Sequence, residues 1–217
     1  MTSAMAVSDD SVLEYAVAGR PLRGELESGD LYAVIPRPHG SLVAVSDGLG
    51  HGYEAAFASK LAINALTAQA HLSLPDLIKH CHQSLLRTRG VALSIASLDC
   101  EEETMTWISV GNVAGLLLRV NDAGTLEREH IVMRSGVVGH RLPPLRSATL
   151  GLHRGDLLVF ATDGIREGFQ TDVRPDARPQ DAADRILSRH GKSTDDALVL
   201  VARWRGCANA NAVATRR

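Results

Sequence analysis

Short apolar, β-branched runs along the chain alternate with alanine- and leucine-rich stretches, and the two patterns predict different elements. Leu31–Ile35 and Leu42–Ser46 read as strands joined through Pro36-Arg37-Pro38-His39-Gly40, a turn-rich connector. Tyr53–His71 lacks proline and glycine and predicts a helix. A second helix is predicted over Leu74–Arg87. Ser73 is placed to cap it, Pro75 and Asp76 fall in its first turn, and Gly90 lies past its end. Its apolar positions Leu77, Ile78, Cys81 and Leu85 share one face.

Beyond Gly90 the character changes. Val91–Asp99, Thr104–Val110, Ala114–Val120 and Leu126–Met133 are β-rich runs separated by polar and glycine turns, which predicts an antiparallel meander. Leu157–Ala161 reads as a buried strand, Asp181–His190 as a helix stopped by Gly191, and Ala197–Arg203 as the last strand. Residues 205–217 are polar and alanine-rich and read as a loose tail. No repeat or low-complexity linker divides the chain, so residues 1–204 are expected to form one domain. The order departs from strict βαβ alternation. It fits an α+β layered architecture of antiparallel sheets covered by helices.

Composition narrows the function classes. The 217 residues are 45% hydrophobic and 22% charged, as in a water-soluble globular domain. A formal net charge of -2 gives no basic excess for a nucleic-acid partner. No run approaches the roughly 18–20 apolar residues of a membrane span, and Met1–Asp10 lacks the basic and hydrophobic parts of a secretory signal. A cytoplasmic location is the expectation. Cys81, Cys100 and Cys207 are an odd, scattered set and read as reduced thiols.

Four acidic clusters carry the chemistry: Ser28-Gly29-Asp30, Ser46-Asp47-Gly48-Leu49-Gly50-His51-Gly52, Thr162-Asp163-Gly164 and Thr194-Asp195-Asp196. Each aspartate stands at the edge of an apolar run, where a strand end projects a carboxylate into a cleft. Several carboxylates converging there repel one another strongly unless a cation neutralises them. Hard divalent cations take oxygen ligands, so the pattern predicts a metal site built from strand ends. An isolated aspartate beside glycine more often closes a turn. Asp99, Asp122 and Asp156 lack the motif context and read as turn residues.

In order and rough spacing these motifs, with Leu152–Gly164 (LHRGDLLVFATDG) and Thr194–Val201 (TDDALVLV), resemble the metal-dependent PPM serine/threonine phosphatases of the bacterial SpoIIE-type branch. The resemblance covers roughly residues 20 to 203 and, within that branch, is strongest to the small stand-alone phosphatases of stress signalling. It implies a four-layer αββα sandwich of two antiparallel sheets flanked by helices, with two divalent metal ions, Mn2+ or Mg2+, at one end. It implies Asp47 as the bridging ligand, the Gly48 carbonyl as a backbone ligand, and Asp30, Asp163 and Asp195 as further ligands, with Asp196 a neighbour. It also implies a phosphorylated protein substrate, a STAS-domain signalling protein of a stressosome or anti-sigma switch. A fold retained as a phosphoprotein-binding module without turnover is the alternative. Leu198 replaces the threonine common in the family after the final acidic pair. No arginine matches the phosphate-binding position of the eukaryotic branch, and Arg23 is a candidate by proximity alone.

Gly48, Gly50 and Gly52 precede no Gly-Lys-Ser/Thr, so they are not a nucleotide-binding loop, and they are expected to let the backbone approach the metals closely. His51 is a candidate general acid beside the metals, or an exposed loop histidine. Cys81 and Arg87-Thr88 fit the bare signature of cysteine-dependent phosphatases. The stretch between them has no glycine for a phosphate-cradling loop, so Cys81 reads as a core residue.

Overall fold

The computed structural model describes residues 12–121 and 123–207, which leaves Asp122 and residues 208–217 of the predicted tail outside the described residues. The strands are β1 (Leu13–Arg20), β2 (Asp30–Arg37), β3 (Gly40–Gly48), β4 (Val91–Asp99), β5 (Thr104–Val110), β6 (Ala114–Val120), β7 (Leu126–His130), β8 (Ala148–Gly151), β9 (Leu157–Ala161) and β10 (Ala197–Trp204). The helices are α1 (Gly52–Ala68), α2 (Leu74–Ser84) and α3 (Pro179–His190), with one 3-10 turn at Phe169–Asp172. The strands form two antiparallel five-stranded sheets, ordered β1-β10-β9-β6-β7 and β2-β3-β4-β5-β8. The first and last described strands are paired, Leu13 opposite Trp204.

The four layers follow from two-fold alternation in strands buried on both faces. In β3, Val43 and Val45 enter the core between the sheets, while Leu42 and Ala44 enter a second core under α1 and α2. In β9, Leu158 and Phe160 face the other sheet, and Leu157 and Val159 pack beneath α3. Strands with no solvent face read as continuous apolar runs, which is how these two were recognisable in the sequence. α1 lies on β2 and β3, and α3 lies on β1 and β10, completing the αββα sandwich.

Several expectations change. The run of four β segments is not one meander: β4 and β5 pair in one sheet, β6 and β7 in the other, and Gly111–Val113 carries the chain between them. The hairpin of β2 and β3 extends through its proline, with Pro36 opposite Ser41. β2 is an edge strand, where a missing amide donor is tolerated. Strands β1 and β8 had no counterpart in the sequence reading. α2 stops at Ser84, and Ser73 caps it by accepting from the Asp76 amide.

The cysteine reading is overturned for two of three residues. Cys100 and Cys207 form a disulfide with their Cα atoms 5.6 Å apart, 107 residues apart in the chain. The β4–β5 turn lies beside the end of β10, a proximity that spacing along the chain conceals. The start of the predicted tail is therefore tied down, and Arg205 also bonds the Val12 carbonyl and pairs with Glu14. Cys81 remains free and buried. Among the described residues, no helix is long and apolar enough to cross a membrane.

Candidate metal centre

Asp30 opens β2 and Asp47 is the last residue but one of β3, and the two stand directly opposite one another in the ladder. The Gly48 amide donates to the Gly29 carbonyl at 3.1 Å, holding the two chain segments together past the aspartates. Opposite this edge, the second sheet presents Asp163 just after β9 and Asp195-Asp196 just before β10. These strands are neighbours, with Ala161 opposite Val199. All four predicted acidic clusters thus arise at strand ends of two facing sheets.

Hydrogen bonds stitch the sheets together across this edge. Thr162 Oγ1 donates to Asp30 Oδ2 at 2.8 Å, and the Leu198 amide donates to the same hydroxyl at 2.9 Å. Leucine at 198 offers no hydroxyl of its own; Thr162 supplies one to Asp30. Asp196 is buried, and its two oxygens accept from the Leu22 amide at 2.7 Å and the Gly29 amide at 2.8 Å. Both its oxygens are thus engaged with backbone. Asn112, in the crossover between sheets, donates to Asp163 Oδ2 at 2.7 Å. Neither Asn112 nor the role of Thr162 was recognised in the sequence.

Two glycines are required by packing. A Cβ at Gly48 would fall 2.2 Å from the Ala55 carbonyl of α1, and one at Gly164 would fall 1.8 Å from the Asp196 carbonyl. The glycines next to the aspartates therefore let other backbone close in behind them, a reason distinct from the approach to metal expected of Gly48.

The electrostatics are unbalanced. Burial, then the charges of Asp30, Asp163, Asp195 and Asp196, push the Asp47 carboxyl up to about 8. Asp30 is raised to about 7, chiefly by burial, with the Thr162 hydrogen bond pulling the other way and neighbouring aspartates adding to the rise. Asp195 is also raised, by burial and then by Asp163. No described lysine, arginine or histidine pairs with any of the five carboxylates. Lys192 instead donates to the backbone carbonyl of Asp163.

This donor set fits hard divalent cations: it is all oxygen, drawn from one edge of the two sheets, and has no ion-pair partner among the described residues. Among the described residues, however, no three acidic, histidine or cysteine side chains are drawn together tightly enough to form a finished coordination group.

His51 lies at the N-terminus of α1 without capping it, and its Nδ1 is 2.6 Å from Glu25 Oε1 on the surface. Arg23 is exposed in the loop before β2. Cys81 sits in the core beneath α1 and α2, and burial pushes its thiol up to about 12. A thiol so disfavoured as thiolate is no nucleophile, which agrees with the core reading. Asp99 accepts from the Glu101 and Glu102 amides, the turn role expected of it. Asp156 also closes a turn, accepting from the His153 amide, but it is ion-paired with Arg119 as well.

The family model for stage II sporulation protein E (SpoIIE) matches residues 37–205. Phosphoserine phosphatase RsbX of Bacillus subtilis (strain 168) is 27% identical over 124 residues, 57% of this chain and 60% of that relative, so the match spans less than two thirds of the relative's length. The solved structure of RsbX in complex with magnesium superimposes with a TM-score of 0.80 at 21% identity, covering 91% of this chain and 98% of that one. A chain solved in a study of the bacterial stressosome, described as a modular system adapted to control secondary messenger signalling, gives a TM-score of 0.79 at 28% identity over 88% of this chain and 99% of that one.

Proposed function

Given that the chain belongs to the SpoIIE family of PPM-type phosphatases, we propose that it is a metal-dependent protein phosphatase hydrolysing phosphoserine or phosphothreonine on a signalling protein. One observation carries the reading: the cross-strand pair Asp30 and Asp47 on one sheet faces Asp163 and Asp195 from the other, none with an ion-pair partner among the described residues. Phosphomonoester hydrolysis is extremely slow uncatalysed, so the site must remove a large barrier.

Asp47, set among the other four carboxylates, would hold Mn2+ or Mg2+ together with Asp30, Asp163, Asp195 and the Gly48 carbonyl. Bound there, such ions lower the pKa of water and neutralise phosphoryl charge. The chain's own contribution is placement. Thr162 orients Asp30, Asn112 orients Asp163, and Asp196 pins the loop carrying Leu22 and Gly29 beneath the ligands. His51 is the proposed proton donor to the leaving serine or threonine oxygen. Its Nδ1 contact with Glu25 leaves Nε2 for that task.

The proposed substrate is a phosphorylated STAS-domain protein. The support is the likeness to RsbX and to the chain from the stressosome study. Hydrolysis of p-nitrophenyl phosphate, and of such a phosphoprotein, with and without manganese tests the reading. Turnover should require the metal and disappear in Asp47→Asn. Full activity in excess EDTA would sink it, and phosphoprotein binding without any turnover would favour a binding module.

A further inference from the structure

The loop carrying Asp47 continues into a face that the carboxylates do not use. Leu49, Gly50, Tyr53, Phe57, Arg87 and Arg89 are among the residues lining an open groove of about 800 Å3 beside α1. Tyr53 and Phe57, one turn apart on that helix, stack with their ring centroids 6.2 Å apart. Tyr53 is nonetheless 71% exposed and Phe57 45%, and Leu86, next to Arg87 in the chain, is 53% exposed. Apolar side chains grouped on a surface in this way mark a binding site. The opposite wall is cationic. Arg89 is paired with Glu54, whereas Arg87 has no carboxylate partner among the described residues. His140 steadies the wall through its Nε2 contact with the Thr88 carbonyl at 3.1 Å.

We propose that this groove docks the substrate phosphoprotein, taking a segment that bears apolar side chains and acidic residues beside the phosphorylated serine or threonine. The proposal rests on the phosphatase reading above and adds to it where the substrate is held. Continuity is the first argument: Leu49 and Gly50 belong both to the Asp47 loop and to the groove, so a bound segment reaches the carboxylates with little intervening chain. Charge is the second. Arg87 offers an uncommitted cation to an acidic, phosphorylated segment, and the stacked rings offer rigid amphipathic anchors. The same charge argues against a second copy of this chain, because a two-fold contact through this face would set the arginines against their own counterparts.

Two labelled phosphoserine peptides of equal length serve as probes. One has leucine, phenylalanine and two glutamates around the phosphoserine; the other has glycine and serine there. Binding is measured with the Asp47→Asn chain, which does not consume the probe, and turnover with the unaltered chain and manganese. The apolar, acidic peptide should bind about tenfold more tightly and show a matching advantage in kcat/KM, a modest anchor contribution. Tyr53→Ser with Phe57→Ser should bring the ratio between the peptides close to unity, and Arg87→Glu alone should lower it severalfold. Equal affinity for both peptides, or a preference that survives the double substitution, would overturn the proposal. So would a preference lost only because a dimer had become a monomer on a sizing column, since the face would then belong to a second copy. If the unaltered chain hydrolyses neither peptide nor p-nitrophenyl phosphate, the phosphatase reading falls, and the binding arm still decides the groove.

Discussion

Strands β6 and β9 lie side by side, and their two ends treat a carboxylate in opposite ways. At one end Asp156 is almost fully buried, and Arg119 grips it with two nitrogens while the His153 amide donates at 2.9 Å. At the other end Asp163 faces Asp30, Asp47 and Asp195 with no ion-pair partner among the described residues; its carboxylate accepts from the neutral amide of Asn112, and Lys192 reaches only its backbone carbonyl. Asp156 is buried and compensated, whereas Asp163 is only half-buried and stands beside the buried Asp30, neither of them with an ion-pair partner among the described residues. The fold can satisfy a buried aspartate where it needs one for structure. The end left unsatisfied is the one where we propose that the metal ions bind. A buried ion pair is also costly to break from one side, because the surviving charge stays desolvated. The uncompensated end should respond to the same substitution in the reverse sense.

The largest expected effect comes from making that substitution at the metal end. Asp163→Asn should lower manganese-dependent kcat/KM by about a thousandfold or more, on the order of 4 kcal/mol of lost transition-state stabilisation. It should leave the unfolding midpoint of the metal-free protein unchanged or higher, since one of several repelling charges is gone. A variant that loses stability and keeps turnover would erase the contrast between the ends.

Asp156→Asn is the counterpart. The amide cannot balance Arg119, whose side chain is 19% exposed, so stability should fall by about 3 kcal/mol. Turnover per folded molecule should stay near normal. Urea unfolding alongside p-nitrophenyl phosphate kinetics separates the two effects. Inactivation without destabilisation would move Asp156 into the chemistry.

Asn112→Ala sharpens the comparison from within the metal end. Removing the 2.7 Å contact frees Asp163 to turn without deleting a proposed ligand. The manganese concentration giving half-maximal activity should rise about 10- to 100-fold, with kcat at saturating manganese largely recovered. An unchanged metal requirement with reduced kcat would assign Asn112 to the phosphate instead.

What was legible in the sequence follows the same physical division. Asp30, Asp47, Asp163 and Asp195 stood out because each interrupts an apolar run at a strand end, and the doubly buried strands β3, β4, β9 and β10 show those runs plainly. β1 escaped notice because most of its side chains are only half-buried, with Glu14 and Tyr15 among them, and β8 because its side chains are largely exposed. Periodicity marks a strand but not its sheet, so the passage from β5 into the opposite sheet at Gly111–Val113 could not be seen. Asn112 lies in that passage, and its only sequence signal was a polar residue after glycine in a turn. The Cys100–Cys207 pair was hidden for a related reason: only the folded order of β10 against the β4–β5 turn brings the two together.

The smallest effect is a dependence on pH that should exist only without metal. Asp30 and Asp47 are raised to about 7 and about 8 in the folded chain, above the ordinary carboxyl value of 3.8. Between those limits the folded state holds more protons than the unfolded state, so stability must fall as pH rises. The contribution is fully present below about pH 4 and lost progressively up to about pH 8. In EDTA the melting temperature should therefore drop by at least several degrees between pH 5 and pH 8. Saturating manganese should reverse the trend, since ionised carboxylates bind the cation and the metal competes with protons. Asp47→Asn should flatten most of the slope in EDTA, and Asp156→Asn should leave it in place. A slope of the same size in both variants would mean that the unbalanced charge resides elsewhere than the edge shared by the two sheets.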